Sequence, residues 1–247
     1  MSLKGAPVAW PVALVTMMLK RCFLGFLLSL FLTGGVGPQP ARDSLKPQRV
    51  RFQSRNFHNV LLWQPGWALS SNRSVYFVQY KVYGEREWKH KEECWGTQEL
   101  FCDLTNETSD LQEPYYGRVR AASAGSYSGW SMTPRFIPWW ETTIEPPVIN
   151  ITRVNGLLSV VLHAPDFPYR HLKGKTKSME NYYELEYRVF IMKNSLKMEQ
   201  QLYEGPRRVV EVEALLPHSG ACLMAEIYIP RLDRGSPRSA KTCVGVA

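Results

Sequence analysis

The sequence predicts an all-β protein, two tandem β-sandwiches behind a signal peptide, and three observations carry that expectation. Gly and Pro number 17 each and aromatic residues make up 12% of the 247 residues, a mixture of strand formers and turn formers. Short apolar runs with period-2 alternation recur at roughly 8–12 residue intervals between Gly, Pro, Asn and Ser. The chain also repeats itself once. Val60-Leu61-Leu62-Trp63-Gln64-Pro65 has a counterpart in Val160-Val161-Leu162-His163-Ala164-Pro165, and the strand carrying Tyr80 has one in the strand carrying Tyr187. A hydrophobic share of 45% against 21% charged excludes wholesale disorder.

Residues 1–37 read as a signal peptide with a lead-in. Lys20 and Arg21 precede the apolar run Cys22–Leu32, and Thr33-Gly34-Gly35-Val36-Gly37 supplies a small-residue exit. A membrane anchor is the rival, but eleven residues span only roughly 16 Å, about half a bilayer core. Removing this segment lowers the net charge from +8 to +5. That excess fits a weak contact with anionic cell-surface glycans and does not mark a nucleic-acid binder. The expected mature protein is secreted, extracellular and free of a membrane span.

The remaining residues divide into 38–140 and 141–247, joined near Pro138–Pro147 (PWWETTIEPP), where prolines stiffen the connection. Trp139 and Trp140 either pack into the junction or complete the first core. In the first half the expected strands are Arg49–Ser54, Val60–Pro65, Val78–Tyr83, Glu99–Leu104, Tyr115–Ala122 and Ser131–Phe136. In the second they are Leu157–Leu162, Leu185–Phe190, Val209–Ala214, Cys222–Tyr228 and Ala240–Gly245. Tyr80 and Tyr187, at matching places, should point the same way within their domains.

Four cysteines follow the signal, and they allow three pairings. Proximity favours Cys94–Cys102 and Cys222–Cys243. A zinc site has no CxxC pair or His doublet to stand on. Asn72-Arg73-Ser74, Asn106-Glu107-Thr108 and Asn150-Ile151-Thr152 are glycosylation acceptors. Enzyme chemistry finds no footing: His58, His90, His163, His171 and His218 are scattered, and Tyr127 occupies the central position of the G-x-S-x-G-like Gly125–Gly129. No cofactor or metal is expected.

Asn59–Pro65, Val78–Gly84, Cys94 and Cys102 together resemble the first fibronectin type III domain of a class II cytokine receptor. Tyr115-Tyr116-Gly117-Arg118-Val119-Arg120-Ala121 is similar to the Arg-Val-Arg-Ala strand of such domains, and Tyr127–Ser131 resembles half of a tryptophan–serine box. In that setting Trp130 would stack on Arg118 or Arg120. The stretches KPQRVRFQSRNFHN, CWGTQEL, EPYYGRVRAASAGSYS and SMTPRF are similar to a secreted branch of that group. The 16-residue lead-in departs from that pattern, and so does Ala221, which sits where a corner tyrosine might stand. The likeness implies a soluble decoy that binds the helical cytokine interleukin-22 one to one and keeps it from signalling receptors. The alternative is a secreted adhesion or matrix module that binds glycan.

Contact residues are expected on loops gathered at the elbow between the sandwiches. Tyr83-Gly84 offers a rigid aromatic face beside an open backbone, with Glu85 and Arg86 as rim. Tyr127 is a second anchor. In the other half, Phe167 and Tyr169 project from Pro165–His171, and Arg231 and Asp233 from Arg231–Arg234, each with a solvated turn as its plain alternative. Lys173, Lys175 and Lys177 read as a solvated loop face.

Overall fold

Alternating buried and exposed side chains build each half of the chain into two facing sheets. The computed structural model describes residues 43–68, 74–155, 157–168, 177–193, 198–213 and 221–244. The expected signal peptide, Asn72, Tyr169, Lys173 and Lys175 lie outside the described residues.

The first half contains β1 (Gln48–Arg55), β2 (His58–Gln64), β3 (Ser74–Val82), β4 (Lys89–Thr97), β5 (Phe101–Asp103), β6 (Tyr115–Ser123), β7 (Ser126–Tyr127) and β8 (Ser131–Met132). One sheet runs β1-β2-β5; the other runs β4-β3-β6-β7, with β8 also on β6. Val50, Leu61, Trp63, Tyr76, Val78, Leu104, Val119 and Ala121 fill the space between them, and Tyr80 packs against this core. Cys94 on β4 is bonded to Cys102 on β5, so the disulfide ties an edge of one sheet to an edge of the other.

The second half repeats the plan with β9 (Val148–Val154), β10 (Leu157–His163), β11 (Glu186–Lys193), β12 (Met198–Gly205), β13 (Val209–Glu213), β14 (Ala221–Ile229), β15 (Arg234–Gly235) and β16 (Thr242–Val244). Its sheets run β13-β10-β9 and β12-β11-β14-β15, with β16 also on β14. Tyr187 is wholly buried in this core, and Tyr80, partly buried, packs on the core of the first domain, so the two point the same way. Cys222 and Cys243 face each other in the β14–β16 register and are disulfide-bonded, as proximity predicts.

Five strands lack a sequence signal, of which β7 and β15 are only two residues long. β4 (KHKEECWGT) is an edge strand that buries only Cys94, so no apolar alternation marks it. β9 follows directly on prolines, and β12 (MEQQLYEG) has no period-2 alternation of apolar residues. The expected strand Ser131–Phe136 is broken into β8 and a single bridge from Phe136 to Tyr115. The break works because hydroxyls stand in for backbone carbonyls. Ser128 N donates to Ala121 O while Ser128 Oγ accepts from Ala121 N; Thr133 does the same with Gly117. Ser236 and Ser239 repeat the device on Ile227 and Ala225. Each last strand can thus leave its ladder without orphaning a buried N–H.

The junction is built from the β1–β2 hairpin. Asn56 and Phe57 both have positive φ, the backbone of a type I′ turn. Asn56 N donates to Thr143 O, the Asn56 amide bonds Glu145, and Phe57 N donates to Thr142 Oγ1. The Phe57 ring is wholly buried in the core of the second sandwich beside Phe167, Tyr182 and Tyr183. Trp139, on the helical turn α1 (Pro138–Glu141), packs into the same cluster, whereas Trp140 is mostly exposed. One of the two tryptophans therefore serves the junction.

Candidate functional site

Strand direction decides which loops meet at the junction. β3 ends and β6 begins where Tyr115 bridges Phe136, just before the connection to the second sandwich. Tyr83 therefore sits at the elbow end of the first domain, and its N–H donates to Pro114 O. Its side chain is 62% exposed, with the ring tilted against Tyr116 at 6.3 Å. Gly84 has φ +88 and nothing within 4 Å of a would-be Cβ, so the turn needs glycine for its backbone and presents an open surface.

Glu85 is engaged within its own turn. Its carboxylate accepts from Lys89 Nζ at 2.7 Å and from Val82 N at 3.1 Å, and Lys81 Nζ donates to its carbonyl at 3.1 Å. The Lys89 bond, helped by Val82, holds the Glu85 carboxyl below its usual range. The effect is a clamp that fixes the turn carrying Tyr83. Arg86 is exposed beyond it.

In the second domain β10 ends, β11 begins and β14 ends on the elbow side, which brings residues 164–168, 182–185 and 230–233 together. A cleft of about 540 Å³ opens there, lined by Gln112, Trp139, Trp140, Tyr182, Glu184 and Arg231 among others. Exposed Arg231 pairs with Glu184 across 3.4 Å. Asp233 adopts a left-handed backbone and accepts from Tyr228 OH at 2.6 Å. Beneath, Tyr183 OH donates to Trp139 O and Arg234 Nη1 to Trp140 O, both at 2.7 Å, which latches the linker to the second domain. Burial pushes the Tyr183 phenol well above its ordinary value.

Two expected contact residues turn out otherwise. Phe167 is buried, stacked on Tyr182 at 4.4 Å and edge-on to Phe57 at 5.3 Å; the elbow core claims its ring. Tyr127 is half exposed but pairs with Ala122, at the end of β6 remote from Tyr115. Six residues of strand from Tyr116 to Ala122 span about 20 Å. Its ring lies under Arg120 at 4.6 Å.

Tyr127 thereby closes a stripe along the outer face of the β4-β3-β6 sheet. Trp88, Arg118, Trp130, Arg120 and Tyr127 alternate ring and cation, with separations of 4.1, 4.4, 4.8 and 4.6 Å. Both arginines hold Trp130, where the sequence suggested one or the other. Arg118 Nε also donates to Gln79 at 2.7 Å. Burial, with Arg120 nearby, lowers the Arg118 pKa from its ordinary value. Trp88 at the elbow end was missed; its place two residues beyond Arg86 carries no pattern of its own. Among the described residues no group of three His, Cys, Asp or Glu is arranged to hold a metal, and no helix is long and apolar enough to cross a membrane.

Two β-sandwiches locked at an elbow, with exposed turns and a cleft on the junction, define a receptor-type binding module. The tissue factor family model matches residues 23–130, and the model for interferon-alpha/beta receptor, fibronectin type III, matches residues 142–246. The chain belongs to the class II cytokine receptor family, whose members bind rather than catalyse. It is 62% identical to human interleukin-22 receptor subunit alpha-2, over 93% of this chain and 100% of that protein. It is 33% identical to human interleukin-20 receptor subunit alpha, over 80% of this chain and 36% of that one. A crystal structure of the chicken interferon gamma receptor alpha chain shares the fold, with a TM-score of 0.61 at 22% identity, covering 81% of this chain and 97% of that one.

Proposed function

We propose that this chain is a secreted decoy receptor whose two modules, 38–140 and 141–247, together hold one molecule of interleukin-22 at the elbow. The observation that carries the reading is the exposed Tyr83 on a turn clamped by Glu85, at the same end of its sandwich as the aromatic cleft. A rigid, exposed tyrosine loses little entropy on binding and supplies a large face, the profile of an interface hot spot. Gly84 admits a helix backbone close to the turn, and Arg86, Arg231 and Asp233 form the polar rim. Tyr127 stands outside the contact as a support for Arg120.

Names of relatives support the ligand. The human, rat and mouse proteins named interleukin-22 receptor subunit alpha-2 are 58–62% identical to this chain, each matched over nearly its whole length. Human interleukin-22 receptor subunit alpha-1 is matched over only 33% of its own length. Two disulfides fit an oxidising, extracellular setting. A receptor released from the cell sequesters its ligand by mass action. The test is competition: cells that respond to interleukin-22 should lose that response as the purified chain is added, in proportion to the ligand bound. An undiminished response at excess chain would end the decoy reading.

A further inference from the structure

The outer face of the β13-β10-β9 sheet breaks the usual inside-out pattern of a sandwich. Side chains of even-numbered β9 residues and odd-numbered β10 and β13 residues point outward there. Several are apolar. Val148, Val154 and Val209 are 62%, 52% and 52% exposed, and Leu157 and Val161 are only partly covered. The matching sheet of the first domain mixes Arg51, Gln53, Arg55, His58, Gln64 and Asp103 with Val60, Leu62 and Phe101 on its outer face, so charge interrupts its apolar residues. Single exposed valines need no explanation, but Val148, Val161 and Val209 gather around one point of this face, and the polar row Thr152–Ser159–Glu211 separates them from Val154 and Leu157.

The register places a glycosylation acceptor in the middle of that set. Asn150 lies directly across from Val161, and Val161 directly across from Val209, so the three form one row over the sheet. Val148 flanks Asn150 on one side and Thr152 on the other, both on the same face. Neighbouring strands are about 4.8 Å apart, which puts Val209 within about 10 Å of Asn150. Asn150 and Thr152 are both exposed, and neither side chain is drawn into the fold. The Asn106 acceptor differs. Its Thr108 is wholly buried, donates to Leu104 O and accepts from Asn59 Nδ2, so the fold alone accounts for that threonine. No such structural reason exists for Thr152.

We infer that an N-linked glycan on Asn150 folds back over the row Asn150–Val161–Val209 and covers the exposed valines around it. A sugar ring has an apolar face of C–H groups and an N-acetyl methyl, which meets β-branched side chains while its hydroxyls stay in water. The glycan then keeps the valines around Asn150 apart from other chains.

The test uses the full chain secreted from mammalian cells with high-mannose glycans. Glycopeptide mass spectrometry should find Asn150 occupied. Enzymatic trimming to a single N-acetylglucosamine should leave the protein monomeric, whereas amidase removal of the whole glycan should raise binding of an apolar-surface dye by about twofold or more. The deglycosylated protein should also self-associate in sedimentation. Asn150→Gln and Thr152→Ala should behave alike, and adding Val161→Thr with Val209→Thr should abolish the dye signal and the association. An unoccupied Asn150 would overturn the inference. So would removal that leaves both dye binding and sedimentation unchanged, or a dye signal that survives the two threonines. Trimming on the folded protein keeps the test decisive if the Asn150 variants are not secreted.

Discussion

The ring of Phe57, carried by the first domain, stacks on Tyr183 of the second with centroids 5.6 Å apart and planes 14° from parallel. Phe57 is wholly buried, and it clusters with the core of the second sandwich rather than with that of its own. Its left-handed backbone, unfavourable for a bulky residue, is held by the Thr142 and Thr143 bonds around it. The two domains therefore share a core across their junction, and the elbow angle that a ligand meets is fixed before it arrives.

Phe57→Ala should cost about 3–5 kcal/mol, the range for deleting a buried aromatic ring. The loss should fall on the second domain, although the residue belongs to the first. Guanidinium unfolding, followed through tryptophan emission and far-ultraviolet circular dichroism, measures it. A loss confined to the first domain would break the shared-core argument.

Tyr83→Ala should weaken cytokine binding by at least about 2 kcal/mol, or more than tenfold, as for a hot spot. Because Tyr83 is largely exposed, the unfolding midpoint should hardly move. Surface plasmon resonance beside a thermal melt separates the two effects. Less than tenfold loss with an intact fold would remove Tyr83 as an anchor.

Trp130→Ala should destabilise the first domain by about 1–3 kcal/mol, since Arg118 and Arg120 would both lose a ring. Trp130→Phe should recover part of that. Binding at the elbow should follow stability alone, because the centre of the stripe lies along the sheet, away from the cleft.

Alkali should unfold the protein through its buried tyrosines. Burial pushes Tyr115 and Tyr187 up to about 12 and raises Tyr183 further. A phenol raised in the fold favours the folded state below its unfolded value of 10.0, and that stability is lost as pH rises toward about 12. Tyrosinate absorbance should therefore show late-titrating groups that ionise together with loss of structure. If every tyrosine titrated near pH 10.0 in a folded protein, the burial of these three would be refuted.

Much of this architecture is legible in the sequence. The strands of the two cores, the repeat and both disulfides follow from alternation and spacing. The edge strands β4 and β12 do not, because an edge buries little and is marked by charge rather than period. Tyr83, Gly84 and Arg231 lie on turns at the elbow end of their sandwiches, as loop position suggests. Phe167 reads as an exposed aromatic between prolines because sequence cannot reveal that Phe57 arrives from the other domain to cover it. Tyr127 was grouped with the elbow because a loop's chemistry says nothing about which end of a strand carries it. The clamp of Glu85 on Val82 N and Lys89 has no sequence signal because it depends on turn geometry alone.

Binding of the purified chain to interleukin-22, with interleukin-10 as comparator at physiological salt, tests the central claim most directly. The account predicts tight, saturable 1:1 binding of interleukin-22, little or none of interleukin-10, and marked loss in Tyr83→Ala. Failure of the folded, glycosylated chain to bind interleukin-22 would contradict it.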